Sequence, residues 1–233
     1  MKTIGLLGGM SWESSIEYYR IINEAVKQRL GGLHSAQCLM YSVDFAEIEA
    51  LQHAGDWDAL TNAMIQAARR LKAGGADFLV ICTNTMHRMA GEIETAAGLP
   101  LLHIADAAAY AIQAQGLHTV GLLGTRFTME GDFYRGRLQD KHGISVVIPD
   151  EADRITVHRV IYDELVRGIL LAESRQAFQH VIAALAERGA QGVVLGCTEI
   201  PLLINQTDVA IPIFDTTRIH AEAAVDWALI HKQ

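Results

Sequence analysis

The sequence predicts an α/β protein of two similar halves, each built around its own parallel sheet. Three observations lead there. Short apolar runs alternate along the chain with amphipathic helix patterns. Those runs lack polar alternation, as strands covered on both faces of a parallel sheet do. The order of segments in the first half then returns in the second. Alternating strands and helices imply right-handed crossovers.

Taken in order, strands are expected at 3–7, 36–42, 78–82, 101–103, 120–123, 145–148, 192–195 and 211–214. Helices are expected at 13–30, 57–72, 130–141, 175–187 and 217–230. Lys2-Thr3-Ile4-Gly5-Leu6-Leu7-Gly8-Gly9 reappears as His118-Thr119-Val120-Gly121-Leu122-Leu123-Gly124-Thr125. The stretch Gly75-Ala76-Asp77 through Cys82-Thr83 matches Gly189-Ala190-Gln191 through Gly196-Cys197, and Leu99-Pro100-Leu101 matches Ile211-Pro212-Ile213. The offsets are 116, 114 and 112 residues. Such steady spacing over separated segments points to a duplicated unit. Ligands of doubly wound sheets bind beyond the carboxyl ends of the strands, so two such lobes should share one cleft. Lobe one is expected at 1–99 plus 215–233, and lobe two at 102–212.

Composition narrows the function. The 233-residue chain is half hydrophobic, carries 20% charged residues and has a formal net charge of −8. A nucleic-acid partner would need a clustered basic surface. The nearest thing to one, Arg135 and Arg137 beside Lys141, reads as a solvated helix face. No apolar run reaches the roughly 18 residues of a membrane span. The three cysteines, Cys38, Cys82 and Cys197, show neither a disulfide framework nor zinc spacing, which fits a reducing cytoplasm. There is no GxGxxG after the first strand, no Walker A lysine and no HExxH. The five lysines fall mostly on helix faces or at termini, so no Schiff-base cofactor is expected.

The chemistry concentrates in four polar turns at strand-to-helix junctions: Gly8-Gly9-Met10-Ser11, Thr83-Asn84-Thr85, Gly124-Thr125-Arg126 and Cys197-Thr198-Glu199. Helix N-termini carry unpaired N–H groups and favour negative charge. Met10, Ser11, Asn84, Thr85, Thr125 and Thr198 can therefore form an anion-binding wall, with Glu199 placed among the substrate contacts. Ser, Thr and Asn are also the preferred helix caps. The repeat pairs Thr83 with Cys197. A twofold-related pair is what removal and return of an α-proton requires, one group on each face of the carbon. Cys197 is the acid–base candidate, with a thiol pKa that a helix N-terminus would lower. Cys82 and Cys38 read as core.

These motifs resemble the aspartate/glutamate racemase superfamily over essentially the whole chain. The resemblance rests on Gly-Leu-Leu-Gly-Gly-Met-Ser-Trp-Glu-Ser at the start, Thr83-Asn84-Thr85-Met86-His87, and Gly196-Cys197-Thr198-Glu199. It implies two flavodoxin-like lobes, frequently a homodimer, and racemisation of a small amino acid without a cofactor. Where such enzymes carry a first catalytic cysteine, this chain has Thr83. In that respect it is similar to the atypical L-aspartate/glutamate-specific racemases, which implies that Cys197 takes the α-proton of the L-isomer and Thr83 serves the opposite face. The usual distal arginine is missing after the second strand. Gln52, by that resemblance, contacts the distal carboxylate, or else lies on a solvated helix face. Arg126 could substitute, or form a surface salt bridge. Two competing functions are a malonate-type decarboxylase using the single cysteine and a non-catalytic sensor of acidic metabolites.

Overall fold

The computed structural model describes residues 1–230. Residues 231–233, among them Lys232 and the end of the lobe-one segment expected at 215–233, lie outside the described part. The chain divides into two compact units, Met1–His103 with His220–Gln233, and Ile104–Ile219.

The first unit contains β1 (Ile4–Gly8), α1 (Trp12–Leu30), β2 (Cys38–Ser42), α2 (Phe45–Ala54), α3 (Trp57–Ala73), β3 (Phe78–Ile81) and α4 (Ala90–Ala97). Its parallel sheet has the order β2-β1-β3. Side chains alternate along β3: Leu79 and Ile81 join one buried cluster, with Leu71 and Met64 of α3, while Phe78 and Val80 join another, with Tyr18 and Ile22 of α1. A strand buried on both faces has no polar side, so its sequence reads as a continuous apolar run.

The second unit contains α5 (Ile104–Ala114), β4 (Thr119–Gly124), α6 (Arg126–Glu130), α7 (Asp132–Gly136), β5 (Ser145–Val147), α8 (Glu151–Asp163), α9 (Ala172–Glu187), β6 (Val193–Gly196), α10 (Ile200–Leu203) and β7 (Ile213–Asp215). Its sheet, also parallel, has the order β5-β4-β6-β7. A last helix, α11 (Thr216–Leu229), starts in this unit. From His220 onward it belongs to the first, where Ala221, Ala224, Val225 and Ala228 complete the cluster around Phe78.

The repeat seen in the sequence is present in the hydrogen bonding of both flavodoxin-like sheets. Leu79 N–H donates to Pro100 O at 2.7 Å, and Val193 N–H donates to Pro212 O at 2.8 Å. The Asp77 carboxylate accepts from Thr3 N–H at 2.7 Å, while the Gln191 amide oxygen accepts from Thr119 N–H at 3.0 Å. Gly5 and Gly121 match too. A Cβ on Gly5 would sit 2.8 Å from Ala76 Cβ and 3.6 Å from Leu71 Cβ, and one on Gly121 would sit 2.9 Å from Leu185 Cδ1. Each glycine lets the helix that leads into the next neighbouring strand, α3 before β3 or α9 before β6, pack close against the central strand.

Four expectations need correction. The strand expected at 101–103 is reduced to a single bridge, Leu79 with Leu101, because the Leu102 carbonyl that would extend the ladder instead accepts from His220 Nε2 at 2.9 Å. The helix expected at 130–141 breaks at Gly131, whose backbone is extended, and ends in a π-helical turn, Arg137–Lys141. Arg137 and Lys141 are not an unpaired solvated face. With His142 they surround Asp106, at 2.7, 2.7 and 2.8 Å, and hold its carboxyl well below the usual range despite partial burial. Cys38 is half-buried rather than core, since β2 lies at the sheet edge. Cys82 is fully buried, as expected of a core residue.

No helix among the described residues is long and apolar enough to cross a membrane. Among those residues, no cluster of three or more His, Cys, Asp or Glu side chains could hold a metal ion.

Candidate active site

The four polar turns sit at the carboxyl ends of β1, β3, β4 and β6, and their side chains divide into two kinds. In the turns after β1 and β4 the hydroxyls cap the next helix. Ser11 Oγ accepts from Ser14 N–H at 3.4 Å, and Thr125 Oγ1 accepts from Thr128 N–H at 3.4 Å. Ser15 Oγ accepts from Gly9 N–H at 2.8 Å and donates to Ser11 O at 3.1 Å, so the first turn uses part of its own donor capacity. Met10 and Ser11 are buried within it. Gly9 has φ +96°, and a Cβ there would lie 2.6 Å from Val43 N, so this position suits glycine alone.

In the turns after β3 and β6 no side chain caps the following helical turn. Thr83 and Cys197 each stand four residues beyond the matched donors Leu79 and Val193. Both are partly exposed, whereas Asn84, Thr85 and Glu199 are buried. Thr83 O accepts from His87 Nδ1 at 2.8 Å. The Cys197 thiol donates to Glu199 Oε2 at 2.9 Å, and the same oxygen accepts from Thr198 Oγ1–H at 2.7 Å.

This arrangement reverses one expectation. Burial and the adjacent Glu199 carboxylate push the Cys197 thiol well above its ordinary value, although the Glu199 and Thr198 N–H groups at the sulfur act in the opposite sense. The helix that follows, α10, is a single turn. Its dipole is too short to outweigh a full negative charge in contact with the sulfur.

Gln52 is buried at the C-terminal end of α2, so it is no solvated helix-face residue. Arg126 is exposed and pairs with Glu130 at 3.2 Å, one helical turn on. Sequence reasoning missed the histidines behind Thr83. His87, His103 and His220 are all buried, with ring centroids 4.7 Å apart for His87 and His103 and 5.5 Å apart for His87 and His220. His87 belongs to a motif singled out in the sequence; the other two carry no local signal and are gathered by the fold.

A family model described as Asp/Glu/hydantoin racemase matches residues 7–224. The chain belongs to that family. It is 58% identical to a Yersinia pestis protein described as a "putative Asp/Glu racemase", whose crystal structure superimposes with a TM-score of 0.94 over 98% of this chain and 100% of that one. An aspartate racemase homologue from Pyrococcus horikoshii OT3 is 33% identical, with a TM-score of 0.86 over 98% and 99% of the two chains. The broad specificity amino-acid racemase RacX of Bacillus subtilis (strain 168) is 24% identical over 98% of this chain and 99% of its own. Family and relatives together support amino-acid racemisation as the class of activity.

Proposed function

We propose that the protein is a cofactor-independent racemase of acidic L-amino acids, in which Cys197 removes the α-proton and Thr83 serves the opposite face. The carrying observation is the Cys197–Glu199 contact in a turn that matches the Thr83 turn by sheet register.

The resting thiol keeps its proton, because the carboxylate beside it opposes a second negative charge. An amino-acid substrate brings its own ammonium group. A unit positive charge about 4 Å away at an effective dielectric near 20 is worth about 4 kcal/mol, or about three pK units. That offsets much of the Glu199 charge. The S–H bond then breaks, its proton passes to Glu199 Oε2, and the two N–H groups at the sulfur stabilise the thiolate.

The thiolate next takes the α-hydrogen: C–H breaks and S–H forms. Thr83 O–H donates its proton to the opposite face of the carbanion and its oxygen recovers a proton from solvent, while Glu199 releases to solvent the proton it took from the thiol, which restores the resting state. A hydroxyl is too weak an acid to be held as alkoxide at neutral pH, so this pair favours the L-isomer as substrate. Met10, Ser11, Asn84, Thr85 and Thr125 supply the hydroxyls and N–H groups that stabilise charge on the substrate carboxylate as the carbanion develops, and the Thr198 hydroxyl joins them once Glu199 has taken the thiol proton and holds that hydroxyl less tightly. Gln52 is the proposed contact for the distal carboxylate. The family resemblance supports a homodimer, and three free thiols suit a reducing cytoplasm.

Proton NMR of L-aspartate, L-glutamate and neutral amino acids with the enzyme in D₂O tests this reading. The α-proton signal of the acidic L-isomers should wash out, and Cys197→Ser should abolish the exchange. Undiminished washout in the variant would exclude Cys197 as the base. Carbon dioxide release from an arylmalonate without any α-exchange would favour decarboxylation instead.

A further inference from the structure

Thr83 precedes a helical turn that no side chain caps, and its backbone is held from behind. His87 Nδ1 lies 2.8 Å from Thr83 O. A carbonyl oxygen can only accept, so Nδ1 carries the ring proton. Burial and the neighbouring His103 keep His87 well below its ordinary pKa, so the ring is neutral.

The ring is itself wedged. His103 packs on it at 4.7 Å and His220 at 5.5 Å between centroids. His220 is fixed at both nitrogens: Nε2–H donates to Leu102 O at 2.9 Å, and Nδ1 accepts from Tyr18 O–H at 2.8 Å. His103 and His220 are also the residues at which the chain leaves and re-enters the first unit.

We propose that His87 is a positioning residue for Thr83: its Nδ1–H holds the Thr83 carbonyl and thereby aims the hydroxyl at the substrate carbon, with His103 and His220 locking the ring. This rests on the reading of Thr83 as the proton donor of the second face. It makes His87 matter for one half of the reaction only. Proton removal at Cys197 and return to the same face do not involve Thr83, whereas inversion does.

The test follows both faces at once. L-glutamate in D₂O is incubated with wild type, His87→Leu, His87→Asn and His87→Gln, and α-deuteration with retention is compared with formation of the D-isomer. Asparagine places an N–H where Nδ1–H was; glutamine carries it one methylene too far. Because misplacement by about an ångström can cost about 100-fold, His87→Leu and His87→Gln should lower the inversion-to-retention ratio by about 10- to 100-fold. His87→Asn should restore most of it. The Asn and Gln variants both keep a polar side chain, so the comparison stands if His87→Leu fails to fold. Equal ratios in the Asn and Gln variants would overturn the positioning role while leaving the racemase reading intact. A wild type that neither exchanges nor inverts would instead overturn the racemase reading, and the positioning role with it.

Discussion

The Cys197 thiol donates to Glu199 Oε2 across 2.9 Å, and the carboxylate that receives the proton also raises the thiol's hold on it. A negative neighbour disfavours the thiolate both by charge and by accepting from the protonated form. Removing the charge abolishes the first effect and weakens the second.

In Glu199→Gln, Cys197 should therefore form its thiolate at lower pH than in the wild type. The pH profile of iodoacetamide alkylation, measured in a Cys38→Ser background because Cys38 is half-exposed, should move to lower pH. Racemisation should nevertheless fall, since the variant has nowhere to put the thiol proton. An alkylation profile that stays in place or moves upward would show that Glu199 does not control this sulfur.

Thr83→Cys should place a group able to act as a base on the second face. D-glutamate turnover should rise by about tenfold or more, in line with general acid–base contributions of about 100- to 10,000-fold. Circular dichroism of the D- and L-reactions gives the ratio directly. Unchanged D-turnover in a folded variant would count against the pairing of positions 83 and 197.

The buried histidines should make the first unit acid-sensitive. Burial lowers the pKa of His220 to about 3, whereas an unfolded histidine titrates near 6.5. Between those values the unfolded chain binds more protons, so stability falls as pH falls. The slope is about 1.4 kcal/mol per pH unit for each such histidine. His220→Gln should be less stable at pH 8, having lost the Tyr18 or Leu102 contact, yet its urea midpoint should decline less steeply between pH 6 and 4.5. Parallel slopes would mean that His220 takes up no proton on unfolding in this range.

Much of this is legible in the sequence. Apolar runs without alternation placed the central strands, since a strand buried on both faces cannot conceal its composition. The duplication was readable because Gly5 and Gly121 meet the same packing demand, and such demands keep residues in place. Tertiary contacts account for what was missed. The ladder at Leu101 stops because His220, more than a hundred residues away in sequence, takes the Leu102 carbonyl. The π-helical turn after Gly136 aims Arg137 and Lys141 at Asp106, and no local pattern in 130–141 announces that partner. The sense of the Cys197 shift does not follow from the helix end alone, because the Glu199 carboxylate two residues on acts against it. In the turns themselves the repeat pairs Thr83 with Cys197, and neither following helical turn has a side-chain cap.

The division of the chain also orders its biogenesis. The second unit is one uninterrupted stretch, 104–219, while the first closes its apolar cluster with Ala221, Ala224, Val225 and Ala228 of α11. On a ribosome adding about 5–20 residues per second, the inserted unit has all of its sequence before the older one has its final layer. The part translated first is thus completed last, and until α11 arrives, Phe78 and its neighbours are a surface for chaperones to guard.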